Sequence, residues 1–328
     1  MALRTPEPRQ FSRVMSVAGA RGSRVVDNAE MCTMIDSSDE WIRQRTGIVE
    51  RRWTGEGEDE LTLAIDASRT AIERAGLTPD QVDAVLVASI SWSQQTPSMA
   101  AMVAHGLGMA QPAVMDVSAA CAGYCYGLGL ADAMVRAGTA THVLVVGAEA
   151  MSHVLDKSDR GTAFLFSDGA GASVVGPSDV PGISPTVWGS DPSQAEVITI
   201  DDWGQLESGQ VPYIRMDGAK VFRWATTFIA ERTREVLRAA GLEPQELDAF
   251  IPHQANNRIT DSMLRLLRLP DTVTVARDIT HMGNSSAASV PLAMDALLSS
   301  GEARSGQTAL LIGFGAGLAY AGQVITLP

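Results

Sequence analysis

The chain has 328 residues, 45% of them hydrophobic, with 30 glycines and a formal charge of −13. That length can bury a large core, as two domains or one double-sized one. The acidic balance excludes a nucleic-acid binder, which needs a basic surface to release counterions. The first fourteen residues, MALRTPEPRQFSRV, hold no apolar core of signal-peptide length, and no later segment runs eighteen residues without a charge or a turn former. No leader and no membrane span are expected, and the expected compartment is the cytoplasm. Three cysteines, Cys32, Cys121 and Cys125, leave one unpaired in any disulfide scheme. Cys121 and Cys125 lack the second cysteine pair or nearby histidine of a zinc site, so no metal is expected.

In chain order, LAIDASRTAIER at 63–74 has helical periodicity, and AGLTPDQVDAVLV at 75–87 ends that helix on glycine, turns around a proline and enters an apolar strand. The stretch MDVSAACAGYCYGLGLADAM at 115–134 places Cys121 where an apolar run gives way to a helical pattern. Its neighbours Ser118, Ala119, Ala120, Ala122 and Gly123 are too small to cover a thiol. A helix N-terminus offers unpaired N–H groups and a positive dipole end, so a thiol there is expected to ionise easily. Most free cysteines are nonetheless small buried apolar residues. After this helix stops at Gly138, VLVVG at 143–147 reads as a buried strand.

The pattern then repeats. TFIAERTREVLRA at 227–239 and AGLEPQELDAFI at 240–251 repeat the first helix and strand at an offset of 165, and ALLIG at 309–313 repeats VLVVG at 166. Two matches in the same order indicate a duplicated βα unit, and short buried strands alternating with helices imply mainly parallel sheets. The expected organisation is two α/β halves, 1–178 and 179–328. The glycines that stop the third helix pair, Gly138 and Gly301, give a local offset of 163, which carries Cys121 onto Asn284. His253 lies just past the strand LDAFI, at the carboxyl edge where α/β folds place ligands. Cys121, His253 and Asn284 together supply a nucleophile, a proton-capable donor and an amide donor. GFGAG at 313–317 is followed by a strand-like tail, LAYAGQVITLP, and lacks the helix that a dinucleotide loop requires.

Six segments in this order, SSDEWIRQRTGI, DVSAACAGYCYGL, SDRGTAFLFSDGAGA, PHQANNRI, GNSSAASVP and GFGAGLAYAG, make the sequence resemble the thiolase-like condensing enzymes, and among them β-ketoacyl-acyl-carrier-protein synthase III of the actinobacterial type. The resemblance implies a five-layered α-β-α-β-α thiolase-like fold made of two duplicated halves, and a homodimer. It implies that Cys121 takes an acyl group from acyl-CoA. Malonyl acyl carrier protein is then decarboxylated with donors from His253 and Asn284, and condensation follows, with no cofactor beyond these thioester substrates. It assigns the backbone N–H groups of Cys121 and Ala316 to an oxyanion hole, and Trp41, Arg45 and Arg160 to CoA. Arg258 and Arg223 go to the carrier protein, with Arg265 on the same helix face as Arg258, and Thr96 and Phe314 to the acyl pocket. Taken alone, Trp41 reads as core and the arginines as solvated surface. Three other roles stay open: a polyketide priming synthase, an acyltransferase that does not condense, and an inactive carrier-binding scaffold.

Overall fold

Alternation inside the short apolar strands sets the architecture. In the computed structural model, which describes residues 9–202, 204, 206–207 and 210–328, Val143 and Val145 enter one core while Leu144, Val146 and Ala148 enter another. Ala309 and Leu311 join that same inner core, and Leu310, Ile312 and Phe314 turn to a third. Strands buried on both faces need helices on both faces of their sheet. Residues 1–8 of the segment read above as leaderless lie outside the described residues.

The strands are β1 (Phe11–Arg21), β2 (Arg24–Asp27), β3 (Glu50–Trp53), β4 (Ala84–Ala88), β5 (Ala113–Asp116), β6 (Val143–Ala150), β7 (Asp168–Ser178), β8 (Val187–Ser190), β9 (Ile198–Ile200), β10 (Ile214–Met216), β11 (Ala249–Pro252), β12 (Thr274–Val275), β13 (Thr308–Phe314) and β14 (Ala319–Thr326). The helices are α1 (Asn28–Met34), α2 (Asp39–Thr46), α3 (Glu60–Arg74), α4 (Met99–Gly106), α5 (Gly123–Arg136), α6 (Gly218–Trp224), α7 (Ala230–Ala240), α8 (Asn257–Leu267), α9 (Ile279–Met282) and α10 (Ser289–Ser300). One sheet has the order β1-β7-β6-β4-β5 and the other β8-β14-β13-β11-β12. In both, the first two junctions are antiparallel and the last two parallel. The same topology written twice is the duplication seen in the sequence.

Helices α3 and α4 cover the outside of the first sheet, α5 and α10 fill the space between the sheets, and α7 and α8 cover the second. The result is the five-layered α-β-α-β-α thiolase-like arrangement. Local chemistry marks the boundaries: Asp59 and Thr62 form a capping box at the start of α3, and left-handed Gly241 and Gly301 end α7 and α10.

The two central helices are entered through matching 3-10 turns, Ala120–Ala122 and Ser286–Ala288. Each turn opens on a left-handed residue, Ala120 at φ 46° and Ser286 at φ 48°, a conformation costing a non-glycine residue about 1–2 kcal/mol. Each turn also presses on a glycine of the other half. A Cβ on Gly313 would come within 3.0 Å of Ala122, and one on Gly147 within 2.3 Å of the Ala287 carbonyl oxygen. This reciprocal contact fixes the register at 166, so the counterpart of Cys121 is Ala287, not Asn284. The offset of 163 fails because α5 has 14 residues and α10 only 12, so the glycines that stop them are not equivalent.

Candidate active site

Cys121, His253 and Asn284 reach one cavity of about 690 Å³ from three separate chain segments. Cys121 stands at the middle of the turn before α5. Gly315 backs it: a Cβ there would sit 2.8 Å from the Cys121 Cβ and 2.9 Å from its Sγ. The glycine in GFGAG therefore makes room for a thiol. Ala316, the next residue, lines the same cavity.

The expected easy ionisation of Cys121 is not what the structure gives. Burial pushes its thiol up to about 12, and the nearby Glu149 carboxylate pushes the same way; the Ser286 hydroxyl and the residue's own N–H oppose them without prevailing. Desolvation outweighs the helix end here, because α5 proper begins at Gly123, past the sulfur. The free enzyme holds a thiol.

His253 follows β11 and is buried, with 3% of its surface exposed. Its backbone N–H donates to the Ile312 carbonyl at 2.8 Å, which ties it to β13. Nδ1 lies 2.7 Å from Ser289 Oγ, and the ring meets Phe314 edge-on at 5.2 Å between centroids. Burial lowers its pKa to about 3, so the imidazole is neutral at physiological pH. Asn284 is fixed through its backbone, whose N–H donates to Leu165 at 2.8 Å and whose carbonyl accepts from Ser167 at 2.9 Å. Its Oδ1 accepts the Ser286 N–H at 2.9 Å. The acceptor end of the amide is thereby occupied, and the Nδ2 donor is left for the cavity.

The cavity mouth carries Trp41, Arg45 and Arg160. Trp41 is half-buried, with the Arg160 guanidinium 5.0 Å and that of Arg45 5.6 Å from its ring centre, and Phe164 edge-on at 5.2 Å. Arg258 also borders the cavity, 5.1 Å over the Phe222 ring. Arg223 and Arg265 are exposed outside the lining. Of the two residues assigned to the acyl pocket, Phe314 lies in the cavity wall, whereas Thr96 is exposed and borders neither cavity of its own chain. Among the described residues no cluster of metal-ligating side chains occurs.

Three features escaped the sequence reading. A second cavity of about 700 Å³ lies on the other side of the Cys121 turn, walled by Ile90, Trp92, Val117, Tyr126 and Ile200 among others. Its lining is drawn from segments far apart in sequence, and nothing local marks them. Glu149 is fully buried, its Oε2 accepting from the N–H groups of Ile90 and Ser91 and from the Ser91 hydroxyl at 2.8–3.0 Å. An acid inside the apolar run VLVVGAEA was a legible signal for it. The third is Ser289.

A half-buried cysteine in one cavity with a neutral histidine and an asparagine amide, on two duplicated α/β halves, defines a condensing enzyme of the thiolase fold. Residues 115–192 match the family described as 3-oxoacyl-[acyl-carrier-protein (ACP)] synthase III, and residues 237–327 match its C-terminal part. The chain is 51% identical over 323 residues to β-ketoacyl-[acyl-carrier-protein] synthase III of Streptomyces glaucescens, covering 97% of each chain. It is 47% identical to the mycobacterial β-ketoacyl-[acyl-carrier-protein] synthase III of Mycobacterium marinum, covering 96% of this chain and 95% of that one. Among solved structures, the priming β-ketosynthase from the R1128 polyketide biosynthetic pathway superposes with a TM-score of 0.97 at 46% identity, covering 100% of this chain and 99% of that one. The chain belongs to the β-ketoacyl-acyl-carrier-protein synthase III family, acyltransferases that form carbon–carbon bonds by condensation.

Proposed function

We propose that Cys121, His253 and Asn284 carry the synthase III reaction in two half-reactions; the observation that carries the reading is their meeting in one cavity. An acyl-CoA enters past Trp41, with Arg160 and Arg45 at its adenine and phosphates. Cys121 Sγ attacks the thioester carbonyl, whose developing oxyanion accepts from the backbone N–H groups of Cys121 and Ala316. The thiol proton leaves with the CoA sulfur, so no stable thiolate is required beforehand. CoA departs and malonyl acyl carrier protein takes its place. As carbon dioxide is lost, charge gathers on the malonyl thioester oxygen, where His253 and Asn284 donate. The resulting carbanion attacks acyl-Cys121 and expels the sulfur, which takes a proton from water to return the free thiol, giving β-ketoacyl carrier protein. One such donor in a dry site supplies about 3 kcal/mol, or a hundredfold and more in rate.

Arg258 and Arg223 form the local basic patch on which the acidic carrier protein docks against the chain's overall negative charge. The enzyme works in the cytoplasm as a homodimer. The dimer is supported by β5, an edge strand with Val114 39% and Met115 45% exposed. No described helix is long and apolar enough to cross a membrane.

A second role, starter loading for a polyketide pathway, uses the same site. It is supported by the R1128 relative. The test is intact mass after incubation with a panel of acyl-CoAs, followed by carbon dioxide release from malonyl carrier protein. Cys121→Ser should take no acyl group; Asn284→Ala should acylate and lose decarboxylation by about a hundredfold. Acylation without carbon dioxide release in the wild type means a transferase that does not condense, and neither reaction means a scaffold.

A further inference from the structure

The Ser289 hydroxyl is 2.7 Å from His253 Nδ1, and both residues are buried. Either group can be the donor on distance alone, but a count of protons decides between them. Ser289 Oγ also accepts the Gln254 backbone N–H, at 3.3 Å. One of its lone pairs is thus engaged, and its single proton needs an acceptor. Among the described residues the only acceptor placed on that hydroxyl is His253 Nδ1. A Nδ1–H imidazole would leave the serine proton buried and unsatisfied, at a cost of the kind native cores avoid.

We infer that Ser289 is a positioning residue that donates to His253 Nδ1 and so holds the imidazole as its Nε2–H tautomer, with the ring proton aimed at the substrate cavity. The duplication supports treating the two as a pair. Sheet pairing sets Ala84 and Ala249 opposite Val143 and Ala309, so strands β4 and β11 are offset by 165 and His253 corresponds to Ala88, while the helix starts, offset by 166, match Ser289 with Gly123. Ala88 and Gly123 are also packed together: a Cβ on Gly123 would lie 2.5 Å from the Ala88 Cβ. The first half fills this junction with two minimal apolar groups. The second half fills it with a ring and the one side chain that dictates where the ring's proton resides. A histidine fixed this way is a hydrogen-bond donor toward the cavity and offers it no lone pair. It is therefore suited to receive charge on a thioester oxygen and unsuited to take the Cys121 proton.

The inference rests on His253 being the donor of the proposed second half-reaction, so its test reads the tautomer directly as well as the activity. The protein has five histidines, and nitrogen-15 labelling of them, with Nδ1 and Nε2 told apart by their couplings to the ring carbon protons, reports which nitrogen of His253 is protonated. His253→Gln assigns the signals. The expected result is an unprotonated Nδ1 and a protonated Nε2 in the wild type. In Ser289→Ala the Nδ1 signal should shift as its donor is lost, with carbon dioxide release from malonyl carrier protein down by about ten- to a hundredfold, the cost seen when metal-ligating histidines lose the group that fixes their tautomer. Acylation of Cys121 should persist. Ser289→Cys, nearly isosteric, should keep the fold and restore part of the rate. A proton on Nδ1 in the wild type overturns the inference whatever the activity. So does a Ser289→Ala enzyme that decarboxylates at the wild-type rate with an unmoved tautomer. A wild type with the Nε2–H tautomer but no decarboxylation would leave Ser289's role standing and remove the reading of the reaction.

Discussion

Acid should destabilise this protein through His253 in a way that can be isolated. A histidine in the unfolded chain titrates near 6.5, whereas burial holds His253 at about 3 in the folded state. Between those values the unfolded chain binds a proton that the folded chain refuses, so stability falls with pH and the loss begins as pH drops through about 6.5. At pH 5 the unfolded state is favoured by about 2 kcal/mol relative to pH 8 from this residue alone, the free energy of a site 1.5 pH units below its titration point. The buried carboxyls of Glu149 and Asp168, which burial raises, act in the opposite direction in acid, but identically in a protein lacking only the imidazole. The assay is urea unfolding of the wild type and His253→Gln at pH 8 and pH 5. The wild type should lose about 2 kcal/mol more than the variant between the two conditions. Equal losses would mean that His253 is protonated in the folded state at pH 5 and that burial does not depress it. A wild-type decarboxylation rate that collapses between pH 6.5 and 5, while the acyl-enzyme still forms, would point the same way.

Because burial lifts the Cys121 thiol to about 12, its alkylation by iodoacetamide in the free enzyme should rise about tenfold per pH unit from pH 7 to 10, read by mass on the Cys121 peptide; a plateau near pH 8 would show an activated thiolate instead. Gly315→Ala puts a methyl 2.8 Å from the Cys121 Cβ, so it should cost about 1–3 kcal/mol of stability and slow acylation; unchanged urea midpoint and acylation rate would remove the close packing as the reason for that glycine. Thr96 borders neither cavity of its own chain, so Thr96→Phe tests whether it closes the partner's acyl pocket in the proposed dimer: acylation by six- to eight-carbon acyl-CoAs should fall relative to acetyl-CoA, and an unchanged ratio would end that role.

Much of the fold was legible because strands buried on both faces leave a plain signal. VLVV and ALLI are unbroken apolar runs of strand length, and the helices before them end on glycine. The three residues that meet in the first cavity were legible as residue types at strand-to-helix edges, and the family motifs attached the proposed reaction to them. The counterpart of Cys121 was not legible: strands give offsets of 165 and 166 but the helices are of unequal length, and the paired left-handed residues Ala120 and Ser286, with their glycine seats, settle the alignment at the turns. Backbone conformation of that kind has no signature when the residue is alanine or serine. The protonation of Cys121 was misjudged because it depends on how much protein surrounds the sulfur, a property of the assembled layers, whereas the helix end that argued for thiolate is local. Ser289 escaped notice as one serine among three in SSAAS, its role set by a histidine 36 residues away.

The turn at Ser286–Ala288 keeps the bent entry and the glycine seat of its twin, but carries Ala287 at the tip, fully covered, with its N–H 3.4 Å from the Glu149 carboxylate. One ancestral shape has thus been put to two uses that age differently. The copy bearing Cys121 has to stay reachable and reactive, so its neighbours are held small. The second copy is sealed against the opposite half, and a nucleophile introduced there by mutation would meet no substrate. A chain that builds the same bent turn twice therefore presents one thiol, and the second turn serves as the strut against which the first half is braced.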